Sequence, residues 1–152
     1  MLSITLFGVL LTAVTVALHT AGTVVFIRYS RRRFEVRQLK PSAFRLAEMC
    51  RVIGMTAAVL LTLHLAEVLM WAFAYYTIPG IQTPSTVEDC IYFSMVTFTS
   101  LGYGDIVISG SWRLLSGIQA MAGMLVFGWS SALLFAAMNF VAGFHKFSSG
   151  PN

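Results

Sequence analysis

The chain has 152 residues, of which 57% are hydrophobic and only 11% charged, and its formal net charge is +4. A typical soluble domain has about 25% charged residues, so this composition excludes an ordinary soluble domain and indicates a membrane protein. Eight of the ten basic residues lie within residues 28–51, and the rest of the chain is nearly free of charge. Such a segment beside apolar segments is typical of a cytoplasmic loop that attracts anionic lipid headgroups, and no motif in it points to nucleic acid.

Three segments are long enough to cross a bilayer, which takes about 20 apolar residues. They cover residues 2–27, 52–76 and 112–140. The sequence therefore predicts an all-α membrane protein. Its predicted parts are an N-terminal transmembrane helix (1–27), a basic cytoplasmic loop (28–51), a module with two transmembrane helices (52–144) and a short cytoplasmic tail (145–152).

The first segment is interpreted as a retained helix and not as a signal peptide, because its basic residues follow the apolar run and do not precede it. With the basic loop in the cytoplasm, the sequence predicts a multi-pass protein of the cell membrane with its N-terminus outside and its C-terminus inside. Cys50 and Cys90 then lie on opposite sides of the bilayer and cannot pair within one chain.

A short helix is predicted at residues 86–98, after a turn region with several helix breakers. Ser85 and Glu88 have the spacing of a capping box, and Asp89 adds a second acid in the first turn. The helix would be about 20 Å long, too short to span the bilayer. We therefore expect it to enter the membrane, end, and return to the same side.

The helix is followed by the predicted filter, residues 99–105, within the stretch TFTSLGYGD from Thr97 to Asp105. Irregular backbone at membrane depth is tolerated only where protein buries it or where it lines a watery path. Gly102 and Gly104 can adopt positive φ, which allows successive carbonyls to point the same way. A column of such oxygens can replace the water shell of an alkali cation.

This stretch resembles the filter of potassium channels. Residues 52–140 resemble the two-helix pore module of small bacterial potassium channels of the ion-transport type 2 superfamily, here with one extra N-terminal helix. The resemblance implies a four-fold symmetric homotetramer that conducts K⁺, with no other cofactor and no enzymatic activity. The residues it assigns to the ion path are Thr99, Ser100, Leu101, Gly102, Tyr103 and Gly104, with K⁺ held by the carbonyls of Ser100, Leu101, Gly102 and Tyr103 and by the Ser100 hydroxyl.

At the outer mouth, the resemblance places Asp105, where four carboxylates would concentrate cations. It also implies that the Tyr103 side chain points away from the ion and packs against the pore helix. Two residues depart from the usual filter: Ser100 replaces threonine and Leu101 replaces valine. Because of Ser100, a weakly selective cation channel is retained as an alternative. A non-conducting membrane sensor or subunit with a vestigial pore is a second alternative, against which the intact GYGD argues.

Polar residues within the second helix are candidates for filter support. His64 and Glu67 share one helix face, and we expect Glu67, at the depth of the pore helix, to brace the back of the filter. A helix–helix hydrogen bond without functional consequence is the alternative. The pair alone offers too few ligands for a metal site. His19 is expected to make a polar contact between helices.

Gating leaves few marks in the sequence. No helix has arginines at every third position, so a voltage sensor is not expected. In the third helix, Gly123 and Gly128 are candidate bending points, with close helix packing as the equal alternative. Thr97 is a candidate support of the filter.

Overall fold

The computed structural model describes residues 1–37 and 46–148, which form four α-helices and one short 3₁₀ turn. The elements, in chain order, are α1 (Leu2–Arg37), α2 (Leu46–Thr77), α3 (Val87–Phe98), the 3₁₀ turn (Gly110–Trp112) and α4 (Arg113–Ser148). No strand occurs in this part of the chain. The all-α fold class is therefore confirmed.

Three of the helices are long and apolar enough to cross a membrane. Their apolar spans are Leu2–Arg32, Met49–Thr77 and Gly110–Phe140. The chain is a multi-pass membrane protein with the three spans that the sequence predicts. α1 and α2 extend from their apolar spans into the basic segment, whose central residues 38–45 lie outside the described residues, as does the end of the predicted tail.

α3 is the short helix predicted between α2 and α4, and its N-cap is Thr86. The Thr86 side chain accepts a hydrogen bond from the backbone N–H of Asp89 at 3.1 Å. The prediction of Ser85 as the cap is therefore wrong by one residue. Thr86 has the extended backbone of an N-cap (φ −100°, ψ 160°), and its hydroxyl reaches the third N–H of the helix, which otherwise has no partner. Glu88 and Asp89 lie in the first turn, as expected.

α1 packs against both helices of the predicted two-helix module. At Gly8 an added Cβ would lie 2.6 Å from Ile118 Cδ1, and at Gly22 it would overlap the side chain of Leu63. Small residues at these two points allow the backbone of α1 to approach α4 and α2 closely, which is how helices associate in lipid. The extra N-terminal helix is thus an integral part of the fold.

The apolar core lies where α3 fits between α2 and α4. Its fully buried large side chains come from all three helices: Trp71, Tyr75, Phe98, Leu115 and Val126. α3 thus has a fixed position, and the segment that follows it begins from a rigid support.

Candidate functional site: the pore loop

α3 ends in a Schellman motif at the first residues of the predicted filter. The N–H of Leu101 donates to the carbonyl of Val96 at 2.9 Å, and the N–H of Ser100 donates to the carbonyl of Thr97 at 2.9 Å. Thr99 is the C-cap, so Ser100 occupies the next position, which usually holds glycine because its backbone is left-handed. Ser100 has φ 59° and is the only non-glycine residue with positive φ among residues 1–37 and 46–148.

Positive φ recurs at every second residue of the loop. Gly102 has φ 52° and Gly104 has φ 80°, so these two residues continue the alternation that begins at Ser100. Such alternation turns successive peptide planes so that their carbonyls share one side. An added Cβ would meet nothing within 4 Å at either glycine, so both face open space in the single chain. The positive φ predicted for the two glycines is confirmed, whereas that of Ser100 was not foreseen.

A hydrogen bond connects the C-terminal end of the loop to α3. The Tyr92 hydroxyl donates to Oδ2 of Asp105 at 2.7 Å. This hydrogen bond lowers the pKa of Asp105 below its usual value, because it stabilises the charged carboxylate. The sequence alone did not indicate Tyr92, because only the fold of the loop brings it beside Asp105.

A chain of buried hydrogen bonds fixes the middle of α3 to α2 and α4. Ser94 Oγ donates to the carbonyl of Val68 at 2.7 Å, and Gln119 Nε2 donates to Ser94 Oγ at 2.8 Å. The Tyr75 hydroxyl in turn donates to Gln119 Oε1 at 2.8 Å. Ser94, Gln119 and Tyr75 are almost fully buried, so the chain is shielded from competing solvent.

The ion-transport type 2 family model, described as "Ion channel", matches residues 63–139, which contain the C-terminal part of α2, all of α3, the loop and most of α4. The chain belongs to this ion channel family. Comparison with curated proteins gave no match. α1 lies outside the matched range, so the helix is an addition to the family's module.

Gly123 of the channel lies where α4 meets the end of the pore helix. An added Cβ there would overlap the carbonyl oxygen of Phe98, and it would lie 2.9 Å from the carbonyl carbon. Gly123 thus serves close packing, one of the two roles considered for it. At Gly128 an added Cβ would meet nothing within 4 Å, so bending at Gly128 stays a prediction.

An open groove of 460 Å³ runs along the predicted filter. Ser100, Gly102 and Gly104 line one part of it, and Ser116 and Gly117 of α4 line another. Thr97 of the pore helix also borders the groove. The predicted filter therefore has an uncovered side in the single chain, and Tyr103 is 68% exposed.

Glu67 lies in a buried cluster behind the pore helix and has no hydrogen bond to a filter residue among those described. Its carboxylate contacts His64 of its own helix and His19 of α1. His19 thus makes the interhelical polar contact expected of it. His19, His64 and Glu67 bring two imidazoles and one carboxylate to within 4.8 Å of one another, which the spacing within α2 alone did not indicate.

Proposed function

We propose that the protein is a potassium-selective channel that conducts K⁺ passively through the centre of a homotetramer. The observation that carries this proposal is the alternation of positive φ at Ser100, Gly102 and Gly104 directly after the capped end of a rigidly held pore helix. Alkali cations bind to columns of backbone carbonyls that replace their water.

In this proposal K⁺ binds the carbonyls of Ser100, Leu101, Gly102 and Tyr103. The Ser100 hydroxyl is a further ligand at the inner end. The Thr99 hydroxyl is already engaged as a donor to the carbonyl of Met95 at 2.8 Å, so its role is to end the helix. Asp105, whose low pKa keeps it ionised, supplies negative charge at the outer mouth and raises the local concentration of cations.

The tetramer follows from the single pore loop of each chain and from the surfaces that the chain leaves open. A filter needs ligands on all sides of the ion, and one loop supplies one side. Leu101 is 56% exposed and Tyr103 is 68% exposed, and burial of such side chains in a neighbouring subunit is favourable. Cyclic symmetry brings identical loops to a common axis, and the groove between filter and α4 is where the next subunit would pack.

The same proposal includes the orientation in the membrane. The filter opens to the outside, the N-terminus is outside, and the basic segment lies at the cytoplasmic surface among anionic lipids. Protease or labelling access to tags at either terminus in intact cells tests this topology. A tag at the N-terminus that is accessible only from the cytoplasm would refute it.

The test of selectivity is a planar-bilayer recording with potassium and sodium on opposite sides. A selective channel gives a reversal potential close to the potassium equilibrium potential, and barium blocks its current. A reversal potential near zero supports the second candidate, a weakly selective cation channel. That candidate is favoured by Ser100, because a serine hydroxyl without the threonine methyl group is free to choose among rotamers, and here it sits on a left-handed backbone. If reconstituted vesicles showed no ion flux, that result would instead support a non-conducting subunit.

A further inference from the structure

Four buried side chains behind the pore helix form a closed ring of hydrogen bonds. Glu67 contacts His19 Nδ1 through Oε1 at 2.8 Å and His64 Nδ1 through Oε2 at 3.2 Å. On the opposite side of the ring, Ser130 Oγ contacts His19 Nε2 at 3.1 Å and His64 Nε2 at 3.0 Å. Each of the four imidazole nitrogens and each of the two carboxylate oxygens therefore has one hydrogen-bond partner among these four side chains.

The ring joins all three membrane-spanning helices and is shielded from solvent. His19 belongs to α1, His64 and Glu67 to α2, and Ser130 to α4. Glu67 is 0% exposed, His19 is 1% exposed, and His64 and Ser130 are 8% and 7% exposed. Hydrogen bonds and charges in such an environment are strong, and an unpaired charge there is costly.

The number of protons in the ring follows from its geometry. Four hydrogen bonds require four protons, one in each bond. A carboxylate, two neutral imidazoles and a hydroxyl supply only three, and such a ring has one broken bond and a net charge of −1. One additional proton completes the fourth bond and makes the ring neutral. A fifth proton would make both imidazoles donors to Ser130 Oγ, so the hydroxyl hydrogen of Ser130 would lose its acceptor in the ring and the net charge would be +1.

We propose that the ring of His19, His64, Glu67 and Ser130 is a proton-binding site that locks the extra N-terminal helix to the channel module. In its neutral form, with four protons, it fixes α4 to α1 and α2. Loss of the fourth proton leaves an unpaired negative charge and one open bond, which weakens this attachment. The proposal assigns a role to α1 and does not depend on which cation the filter selects.

No other charged group lies near the ring among the described side chains. The titratable side chains of the ring come from α1 (His19) and α2 (His64 and Glu67). The side chains of α3 and α4 that contact the two imidazoles are aromatic: Phe98, Phe127 and Trp129. Among the basic residues with described side chains, those nearest in sequence to the ring residues are Arg28, Arg51 and Arg113, about 13 to 25 Å away along their helices at 1.5 Å per residue. The fourth proton is therefore the one way in which the ring can become neutral.

The ring also contacts the parts of the channel that surround the ion path. The His64 ring stacks on Phe127 of α4 with centroids 4.5 Å apart, and it meets Phe98, the last residue of the pore helix, edge-on at 6.1 Å. Ser130 lies two positions after Gly128, the candidate bending point of α4. A change in the proton content of the ring therefore acts on α4 and on the end of the pore helix together.

Substitution of Glu67 by glutamine separates the proton from the structure of the ring. A glutamine amide donates from its nitrogen and accepts at its oxygen. With Glu67→Gln, the amide donates to one imidazole and accepts from the other, so two neutral imidazoles and the hydroxyl complete all four bonds without an additional proton. The variant should keep the ring closed and lose its response to pH.

The experiment measures equilibrium unfolding of the purified protein in mixed micelles, followed by tryptophan fluorescence, between pH 6.5 and 8.5. In water, two free histidines together hold about one extra proton at pH 6.5 and almost none above about pH 7.5, so from there the unfolded chain holds three protons on these four side chains where the folded ring holds four. Folding then takes up one proton, and the unfolding equilibrium constant of the wild type should rise up to tenfold per pH unit, until the folded ring itself loses its fourth proton. The Glu67→Gln curve should lack this rise.

Two further variants keep the test decisive. Thr15→Val removes the hydrogen bond that Trp71 Nε1 donates to Thr15 Oγ1 at 3.0 Å, and so it weakens the contact between α1 and α2 without touching a titrating group. It should be less stable than the wild type but show the same pH slope. Ser130→Ala keeps all three titrating groups but opens the ring. The rise of its unfolding equilibrium constant with pH should therefore stop at a lower pH than in the wild type. Single-channel open probability should depend on pH in the wild type and not in Glu67→Gln.

Equal pH slopes in the wild type and Glu67→Gln would overturn the proposal. A flat wild-type curve would do the same, even if Glu67→Gln failed to fold. If added zinc chloride raised the stability of the wild type at fixed pH, the cluster would be a metal site and not a proton site. Because the unfolding experiment does not measure ion flux, its failure is distinguishable from failure of the proposed potassium conduction.

Discussion

Substitution of Gly123 by alanine tests whether the contact between α4 and the pore helix positions the filter. The added Cβ would overlap the carbonyl oxygen of Phe98 and lie 2.9 Å and 3.2 Å from the carbonyl carbon and the Cα of the same residue. These are backbone atoms, so no side-chain rotation removes the overlap. Either α4 or the end of the pore helix must move.

Overpacking of this kind costs about 1–3 kcal/mol, which corresponds to about 5- to 150-fold in the unfolding equilibrium constant. Gly128→Ala is the matched control, because an added Cβ there meets nothing within 4 Å and alanine favours the helix. We expect Gly123→Ala to lose stability in a denaturation series in mixed micelles and to shift the reversal potential toward sodium, because Phe98 directly precedes the filter. Gly128→Ala should do neither.

A specific result would refute this reasoning. If Gly123→Ala were as stable and selective as the wild type and only its opening were altered, Gly123 would act as a hinge. The contact with Phe98 would then not be what holds the pore helix in place.

The remaining predictions concern the filter and its supports. In Tyr92→Phe the hydrogen bond that lowers the pKa of Asp105 is lost, so this carboxyl should take up a proton at higher pH and external acid should reduce the current at higher pH than in the wild type; unchanged proton sensitivity would contradict this. Gln119→Leu leaves the buried Tyr75 hydroxyl without its acceptor and should cost about 1–3 kcal/mol in the same unfolding assay. Adding Tyr75→Phe should then cost less than it does alone, and full additivity would exclude their coupling. Ser100→Gly should relieve the strain of a left-handed backbone, about 1–2 kcal/mol, whereas Ser100→Ala retains that strain, so the free energies of unfolding of the two variants should differ. Both variants lack the hydroxyl, so their reversal potentials should agree. Different reversal potentials would show that the backbone, and not the hydroxyl, sets selectivity.

The order of the helices along the chain and the position of the pore loop could be predicted from the sequence. Long apolar runs must become helices in a bilayer, because no water is present to satisfy the backbone. A capped apolar run too short to span, followed by glycines at alternate positions, is predicted to end inside the membrane. These rules are local, so they predicted the three spans, the short helix and the positive φ of Gly102 and Gly104.

Local rules were less successful where adjacent residues compete for one role. Ser85 and Thr86 are both good N-cap residues. Thr86 is the N-cap because its hydroxyl accepts a hydrogen bond from the N–H of Asp89. At the other end of the helix, Ser100 adopts a conformation that glycine favours, because the Schellman hydrogen bonds to Val96 and Thr97 require it. Sequence indicates that the helix begins and ends there, but hydrogen-bond geometry selects the residue.

The sequence by itself determined that this chain crosses the membrane three times and carries one loop that resembles a potassium filter, because hydrophobic length and glycine spacing act within a few turns of the chain. Only the tertiary structure decided the partners of the buried polar groups. His19 and Ser130 are far apart in sequence from Glu67 and from each other, yet the packing of three helices brings them into one ring. Within α2, His64 and Glu67 alone form an open pair, and the ring closes because a buried carboxylate must find its donors on whichever helices pack against it.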